Sequence, residues 1–337
     1  MEWCNCLMSL ISDRYPFSYR REIVQAIIDV TQEGNSICLV GLAGVGKSNL
    51  VHFLEQPEIR ALLKREEADR THFFGIPCAK DIGAPEEVYR SLSSPLVALE
   101  RRIGVRVAKI PEQTAFDDLR NHLKTLCRER NQRIVFILDE FEQLARNQPP
   151  ELFEALRILR DDHRTTGNLV YVLLMHRMPQ VVAGTQPFVK SRLFEIVRDQ
   201  IYPLGPYNEE DALAMLDALC AKSGMTISPA NREKLCAFSG GHSGIMRAIF
   251  TAIRPHFDTP ATKIARLATH DSGVAQACQH LWDHLHPEER FALLELVKGT
   301  PPDLAMKEFL IKRGLLKRGS GFFSIVFEEF VKNRALE

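Results

Sequence analysis

The sequence predicts an α/β fold in which a parallel sheet flanked by helices is followed by a helical lid and a C-terminal winged helix. Three observations carry this prediction. Apolar runs with the length of buried strands occur at residues 37–40, 134–138 and 169–175, separated by segments of helical periodicity. After residue 205 the pattern changes to helices alone. Near the C-terminus, three helical segments precede alternating apolar residues around Gly319-Ser320-Gly321, which indicates a β-hairpin.

Residues 36–55 combine an apolar strand, a glycine-rich loop and an amphipathic helix, in that order. The loop has the pattern Gly41-x-x-x-x-Gly46-Lys47-Ser48. Its glycines let the backbone turn tightly, so that successive N–H groups and the helix N-terminus converge on a polyphosphate. Lys47 is placed to reach the outer phosphates, and the Ser48 hydroxyl to take one coordination position on Mg²⁺. The alternative is a glycine turn followed by a chance Lys-Ser pair.

We therefore predict that this loop binds ATP with Mg²⁺. Nucleotide contacts are expected from the loop and from the first turn of the helix that follows it: Gly41, Ala43, Gly44, Val45, Gly46, Lys47, Ser48 and Asn49.

The apolar run that begins at Arg133 ends in two carboxylates, Asp139 and Glu140. Such a run predicts a fully buried parallel strand whose C-terminal end delivers both side chains beside the nucleotide. We expect Asp139 to hold Mg²⁺ through water, together with Ser48, and Glu140 to polarise the attacking water. The alternative is a buried strand followed by an incidental acidic loop.

The next buried strand, residues 169–175, ends in His176 and Arg177. A P-loop ATPase needs a polar side chain at this tip to sense the γ-phosphate, and Arg177 or His176 is placed for that role; a basic strand end in solvent is the alternative. Further on, residues 193–197 and 201–204 predict a fifth strand and its exit.

From Asn208 onward, three helical segments predict a lid, with the glycine-rich turn 239–244 before the third helix. Arg247 lies one turn into that helix and is placed to reach the nucleotide as a second sensor, unless it is a solvated arginine. The predicted domains are an N-terminal segment (1–19), a P-loop core (20–205), the lid (206–258), a linker (259–272) and a winged helix (273–337). The predicted basic rim of the wing consists of Lys312, Arg313, Lys317 and Arg318.

Composition excludes several classes of function. The 337 residues include 43 Lys+Arg and 43 Asp+Glu, so no net field attracts polyanions. No apolar run approaches the ~18 residues of a membrane span, and Met1-Glu-Trp-Cys lacks the basic-then-apolar pattern of a secretory signal, so we expect a cytoplasmic protein without membrane contact.

The eight cysteines form no C-x-x-C pair, so we expect them to be reduced core residues; a metal site at Cys4 and Cys6 is the alternative.

The Gly41–Ser48 loop with Asp139-Glu140, the lid turn Ser239-Gly-Gly-His-Ser-Gly and the closing Phe322-Phe-Ser-Ile-Val-Phe together resemble STAND-type P-loop ATPases. These proteins belong to the ASCE division and are related to AAA+ and to the archaeal origin-recognition ATPases. The likeness covers residues 15–335. It implies that Phe17 and Arg20 fold over the adenine, with a plain packing helix as the alternative, and that His242 contacts the nucleotide. Ser243 stands where such proteins often have a proline beside the base.

The resemblance implies an ATP-hydrolysing regulatory switch whose nucleotide state controls the lid, the winged helix and assembly with a separate protein sensor or effector. Protomers that associate on ATP binding would donate an arginine in trans, such as Arg160 or Arg164. The alternatives are a DNA-binding ATPase of the initiator or transposition-regulator kind, using the basic rim, and a nucleotide-binding scaffold without turnover.

Overall fold

The computed structural model describes residues 15–78, 83–105, 113–163, 167–182, 184–254, 268–319 and 321–336. The chain divides into two compact units. The first, which we call the sheet unit, comprises Val24–Val40 and Lys47–Tyr202. The second, the lid unit, comprises Met1–Ile23, Gly41–Gly46 and Pro203–Glu337. The glycine loop therefore groups with the C-terminal third of the chain, although the helix that follows it belongs to the sheet unit.

The sheet has five strands in the order β2-β3-β4-β1-β5. These are β1 (Ile37–Gly41), β2 (Thr71–Pro77), β3 (Arg133–Asp139), β4 (Leu169–Met175) and β5 (Ile201–Leu204). The pairs β1/β4, β2/β3 and β3/β4 are parallel, with Val40 opposite Met175 and Phe136 opposite Tyr171. The carboxyl ends of these strands meet at one edge, which is where open α/β sheets carry their sites.

Helices connect the strands as the sequence periodicity predicts. In the first two-thirds of the chain they are α1 (Arg21–Gln32), α2 (Lys47–Leu54), α3 (Arg65–Ala68), α4 (Pro85–Arg102), α5 (Ala115–Leu123), α6 (Phe141–Asn147), α7 (Pro150–His163), α8 (Gln186–Val189) and α9 (Arg192–Arg198). Short 3₁₀ turns lie at Pro57–Leu62 and Pro179–Val181. A π-helical turn, Lys124–Glu129, continues α5. Among the described residues, no helix is both long enough and apolar enough to cross a bilayer.

The core of the sheet unit explains the long apolar runs within β3 and β4. In β3 the side chains of Ile134, Phe136 and Leu138 belong to the main cluster of buried residues, which also contains side chains from α4 to α9. The intervening Val135 and Ile137 are equally buried. Both faces of the strand are covered, so alternation between apolar and polar residues is lost.

The prediction of extended structure at residues 193–197 is wrong, because this segment is helix α9. Ser191 caps the helix by accepting a hydrogen bond from the Phe194 amide. Leu193, Phe194 and Val197 are the buried residues, which is the i, i+1, i+4 spacing of one helical face. A serine N-cap and helical periodicity thus outweigh the β propensity of two branched residues. The fifth strand is the short segment that follows.

The lid unit contains the helices α10 (Glu209–Ser223), α11 (Pro229–Ser239), α12 (Ser243–Ile253), α13 (Ser272–Asp283), α14 (Pro287–Val297), α15 (Leu304–Lys312) and α16 (Ile325–Leu336). Asn208 and Ser228 cap the first two through side-chain oxygens, as the acidic and polar starts of these segments indicate. The three helical segments predicted after Asn208 are thus present.

The predicted hairpin near the C-terminus is reduced to a single antiparallel bridge between Leu316 and Phe322. Residues that alternate after Phe322 were expected to form its second strand, but from Ile325 the chain is helical. The Ser324 hydroxyl starts this helix: it accepts from the Phe327 amide and donates to the Phe238 carbonyl of α11 at 2.6 Å. Three helices and a bridge match part of the predicted winged helix, which stays a prediction.

Candidate functional site

The glycine loop adopts backbone conformations that side chains rarely allow. Gly44 has φ +72° and Gly46 has φ +98°. Gly44 is exposed and Gly46 half-buried, whereas Ala43 and Val45 are buried. Lys47 follows directly as the first residue of α2, and Asn49 is half-buried in the same turn. The local geometry is therefore a tight turn that leads into a helix N-terminus, as phosphate binding requires.

Ser48 and Asp139 lie in contact although 91 positions separate them in the sequence. The Ser48 hydroxyl donates to Asp139 Oδ2 at 3.0 Å. The other carboxylate oxygen, Oδ1, accepts from the Glu140 amide at 3.0 Å. These contacts fix the carboxylate at the end of β3 and bring together the two side chains predicted to be metal ligands.

The donor set suits magnesium held jointly with phosphates. A hydroxyl and a carboxylate are hard oxygen ligands, and Mg²⁺ characteristically takes one or two protein ligands and completes its octahedron with phosphate and water. Within the described ranges, no group of three or more His, Cys, Asp or Glu side chains forms an all-protein metal cage. Ser48 and Asp139 therefore fit a Mg²⁺ ion that is held jointly with phosphates.

Glu140 has an unusual backbone conformation at the junction between β3 and α6. Its φ and ψ are 55° and 38°, the left-handed helical region, and its side chain is exposed. A non-glycine residue there is uncommon and concentrates at functional positions. This conformation ends the strand abruptly, so that Glu140 departs from the sheet directly after Asp139.

A buried carboxylate behind this edge, Glu142, has no role assigned from the sequence. Its side chain accepts a hydrogen bond from His176 Nδ1 at the tip of β4. Burial alone would raise the pKa of Glu142, but the hydrogen bond and charge of His176, a backbone bond and the Lys47 ammonium together lower it. Lys47 is itself 6% exposed, so its charge acts in a partly desolvated site. The only sequence signal was a third acidic residue, two positions after Glu140.

The two sensor candidates at the tip of β4 thus differ in their surroundings. His176 is bound to Glu142, whereas Arg177 is half-buried one residue further on.

The hypothesis that Arg160 reaches a neighbouring protomer is wrong. Arg160 is 5% exposed and donates to the Gly34 carbonyl at 3.1 Å, so it is a buried structural side chain. Arg164 lies outside the described residues.

The lid turn contacts the carbonyl groups of the glycine loop. His242 Nε2 lies 2.8 Å from the Ala43 carbonyl oxygen, and the Ser243 hydroxyl donates to the Gly44 carbonyl at 2.7 Å. His242 Nδ1 accepts from the Ile245 amide and caps α12. One neutral tautomer, with its proton on Nε2, serves both contacts. His242, predicted to touch the nucleotide, therefore touches the loop.

Arg20 is also bound to the loop. It is buried, with φ 45°, and its guanidinium donates to Val45 O at 2.7 Å and to Gly205 O at 3.0 Å. The guanidinium lies 4.4 Å from the ring centre of Tyr207, a cation–π contact that the sequence did not indicate. Phe17, in the preceding turn, is half-buried.

Two further predicted residues have the following positions. Arg247 is exposed on α12. Arg313, expected in the basic rim, is 5% exposed at its side chain and pairs with buried Glu289 at 3.0 Å. The rim prediction is wrong for Arg313, because its guanidinium is buried against the Glu289 carboxylate. Lys312, Lys317 and Arg318 are exposed.

Comparison with known proteins decides the fold family. The family model of the AAA domain matches residues 30–178, which include the glycine loop, Asp139-Glu140 and the tip of β4. Over these residues the chain is similar to the AAA domain, and it has the AAA+ P-loop fold. The predicted fold class, a parallel-sheet P-loop NTPase followed by helices, is thereby confirmed. No curated protein matches the chain.

Solved structures share this AAA+ architecture over most of the chain. The Walker-type ATPase PABY2304 of Pyrococcus abyssi is 14% identical with a TM-score of 0.56, covering 93% of this chain and 95% of that one. The ADP form of the Aeropyrum pernix ORC2 protein is 11% identical with a TM-score of 0.53, covering 88% and 85%. The structure of the same ORC2 protein in ADPNP-ADP complexes is 11% identical with a TM-score of 0.51, covering 94% of each chain. At these identities the likeness shows the fold.

Proposed function

We propose that this AAA domain binds and hydrolyses ATP and that the chain is a regulatory switch of the STAND type. The observation that carries the proposal is the 3.0 Å hydrogen bond between Ser48 and Asp139. It joins the hydroxyl after the loop lysine to the carboxylate at the end of β3, which is the metal-binding pair of P-loop NTPases. A chance glycine turn would not bring these two groups together.

The proposed roles follow from position and charge. The amides of the loop and the N-terminus of α2 bind the phosphates, and the partly desolvated Lys47 ammonium neutralises the outer ones. Ser48 would hold Mg²⁺ directly and Asp139 would hold it through water. The bound ion would neutralise negative charge on the phosphates.

Glu140 is the proposed general base. It orients a water for in-line attack on the γ-phosphorus and accepts a proton from it, while the bond to the ADP oxygen breaks. Its exposed side chain and its position directly after Asp139 support this role. Arg177, at the tip of β4, is the proposed γ-phosphate sensor.

The proposed output of the switch is the conformation of the lid and the C-terminal helices. Hydrogen bonds from His242 and Ser243 to the loop carbonyls support such coupling, because they connect the loop to α12. Helix α16 continues the connection through Ser324, which is bonded to α11. We propose that a separate protein sensor or effector reads this state and that protomers associate on ATP binding.

Two variants test hydrolysis and binding separately. Glu140→Gln is expected to bind ATP with unchanged affinity in calorimetry and to release phosphate at least ~100-fold more slowly, as loss of a general base typically costs. Lys47→Ala is expected to lose ~30-fold or more in ATP affinity, because it removes ~2 kcal/mol or more of attraction to the phosphates. Unchanged phosphate release by Glu140→Gln contradicts the base assignment, and tight binding by Lys47→Ala contradicts the phosphate site.

Three exposed cations support DNA binding as a second candidate function. Lys312, Lys317 and Arg318 are close in sequence and exposed around the bridged segment. Three phosphate contacts predict a slope of about −2.7 in a plot of log affinity against log salt concentration. A gel shift on duplex DNA over a salt series, with and without ATP, separates the candidates: a binding switch without DNA function gives no shift at physiological salt.

A further inference from the structure

Three consecutive carbonyl groups of the glycine loop accept hydrogen bonds from three side chains. Ala43 O is 2.8 Å from His242 Nε2, Gly44 O is 2.7 Å from the Ser243 hydroxyl, and Val45 O is 2.7 Å from Arg20 Nη2. The Gly244 amide adds a second bond to Gly44 O at 2.9 Å. These donors come from the segment before α1 and from the start of α12, some 200 residues apart along the chain.

Holding these carbonyls also fixes the directions of the loop amides. The peptide unit is planar and trans, so its N–H points opposite to its C=O. The three units joined to Ala43 O, Gly44 O and Val45 O carry the N–H groups of Gly44, Val45 and Gly46. With the carbonyls held on the lid side, the Gly44 and Gly46 amides are directed to the other side. The same bonds polarise each peptide and strengthen its N–H as a donor.

The three donor side chains are nearly inaccessible to water, so water does not readily replace their hydrogen bonds to the loop carbonyls. His242 is 1% exposed, Ser243 4% and Arg20 6%. A buried donor that loses its acceptor remains desolvated without compensation, so the bonds resist exchange with solvent. His242 further needs one tautomer to serve Ala43 and its helix cap at once. These two contacts are enough to explain the position of the His242 imidazole, without a contact to the adenine base.

We propose that Arg20, His242 and Ser243 are positioning residues for phosphate binding, acting through the loop carbonyls and not on the adenine. This inference rests on the proposed binding of ATP at the loop. On this proposal, part of the affinity for phosphate comes from the lid. The docking of α12 on the loop carbonyls stabilises the binding of phosphates at the loop amides, and phosphate binding stabilises the docking. By linkage, each event favours the other to the same extent.

Substitutions at His242 and Ser243 separate this role from the capping of α12. In His242→Asn the shorter side chain keeps an oxygen near the Nδ1 position and caps the helix, but it does not reach Ala43 O. Ser243→Ala removes the hydroxyl, and Ser243→Thr restores it. Thr251→Ala is the matched control, because the Thr251 hydroxyl bonds the Arg247 carbonyl on the same helix, away from the loop.

Calorimetry with ATP and with inorganic tripolyphosphate, which has no base, distinguishes the two ways of acting. We expect His242→Asn and Ser243→Ala each to weaken both ligands by the same factor, ~3- to 10-fold, the range of one hydrogen bond. Ser243→Thr and Thr251→Ala are expected to bind as the wild type does. Weaker ATP binding with unchanged tripolyphosphate binding overturns the proposal and assigns the residues to the base.

Amide hydrogen exchange in the nucleotide-free chain tests the positioning role independently of ATP. The Val45 amide donates to Leu42 O at 3.3 Å within the turn, so its exchange rate reports loop opening. We expect ~3- to 10-fold faster exchange at Val45 in His242→Asn and Ser243→Ala and wild-type rates in Thr251→Ala. Wild-type rates in all variants overturn the positioning role. Failure of the wild type to bind ATP or tripolyphosphate, with exchange accelerated as expected, overturns only the proposed function.

Discussion

The substitution Gly46→Ala tests whether the loop is held in the conformation that the structure shows. Gly46 has φ +98°, and a Cβ there would lie 2.5 Å from the Tyr207 hydroxyl and 3.2 Å from the Ser243 hydroxyl. Real Cβ contacts do not approach 2.5 Å, so either Tyr207 or the loop has to move. Tyr207 is not free to do so, because it is hydrogen-bonded to Tyr19 at 3.0 Å and packed beneath the Arg20 guanidinium.

The expected cost has two separable parts. A side chain with positive φ costs ~1–2 kcal/mol, whatever the space around it. Overpacking against a fixed neighbour adds ~1–3 kcal/mol. Gly224, which has φ +62° at the end of α10 and no atom within 4 Å of its Cβ position, isolates the first part. We therefore expect Gly46→Ala to lower the free energy of unfolding by ~2–5 kcal/mol and Gly224→Ala by ~1–2 kcal/mol.

Adding Tyr207→Phe to Gly46→Ala removes the closest contact. The nearest atoms to the new Cβ are then the ring carbon Cζ at 3.1 Å and the Ser243 hydroxyl at 3.2 Å, which need only a small adjustment. By itself Tyr207→Phe loses the hydrogen bond to Tyr19, ~1 kcal/mol. The double variant is therefore expected to be more stable than the sum of the single losses predicts, by ~1 kcal/mol or more.

Urea unfolding followed by Trp282 fluorescence measures these differences. Trp282 is buried in α13, in the same unit as Gly46, and Trp3→Phe removes the other tryptophan signal. Changes in midpoint at constant m-value then give the free energies. If Gly46→Ala costs no more than Gly224→Ala, or if Tyr207→Phe gives no relief, the tyrosine does not contact the loop and the reasoning is refuted.

Two further predictions concern buried charges. Arg313→Met leaves the Glu289 carboxylate buried and unpaired, so we expect it to destabilise the lid unit by ~3–5 kcal/mol in urea unfolding. The control, Lys317→Met at an exposed position, is expected to change stability by less than ~0.5 kcal/mol. Equal effects of the two substitutions would contradict the buried ion pair. The pKa of Glu142 is lowered from its usual 4.5, so its contribution to stability is present above that pH and is lost as the pH falls through the lowered pKa. Glu142→Gln is expected to flatten the acid limb of stability against pH; an unchanged slope refutes the assignment to Glu142.

Much of the fold could be predicted from the sequence because its signals are local. The predicted strand 169–175 has the same bounds in the structure, since a continuous apolar run flanked by turns leaves little choice of register. The errors occur where local signals compete. Residues 193–197 are helical because Ser191 caps the segment. After Phe322 the aromatic and branched residues favour a strand, but the chain is helical from Ile325.

The sequence by itself determined the order strand, glycine loop and helix, and the pair of carboxylates at the end of β3, because spacing along one strand or turn is a property of the backbone. Only the tertiary structure decided what these groups contact. Arg160 and Arg313 carry the same charge as exposed arginines, yet burial gives them structural partners. His242 and Ser243 meet the loop carbonyls across 199 residues, and Arg20 meets one across 25. Packing sets such long-range contacts, and no local pattern encodes them.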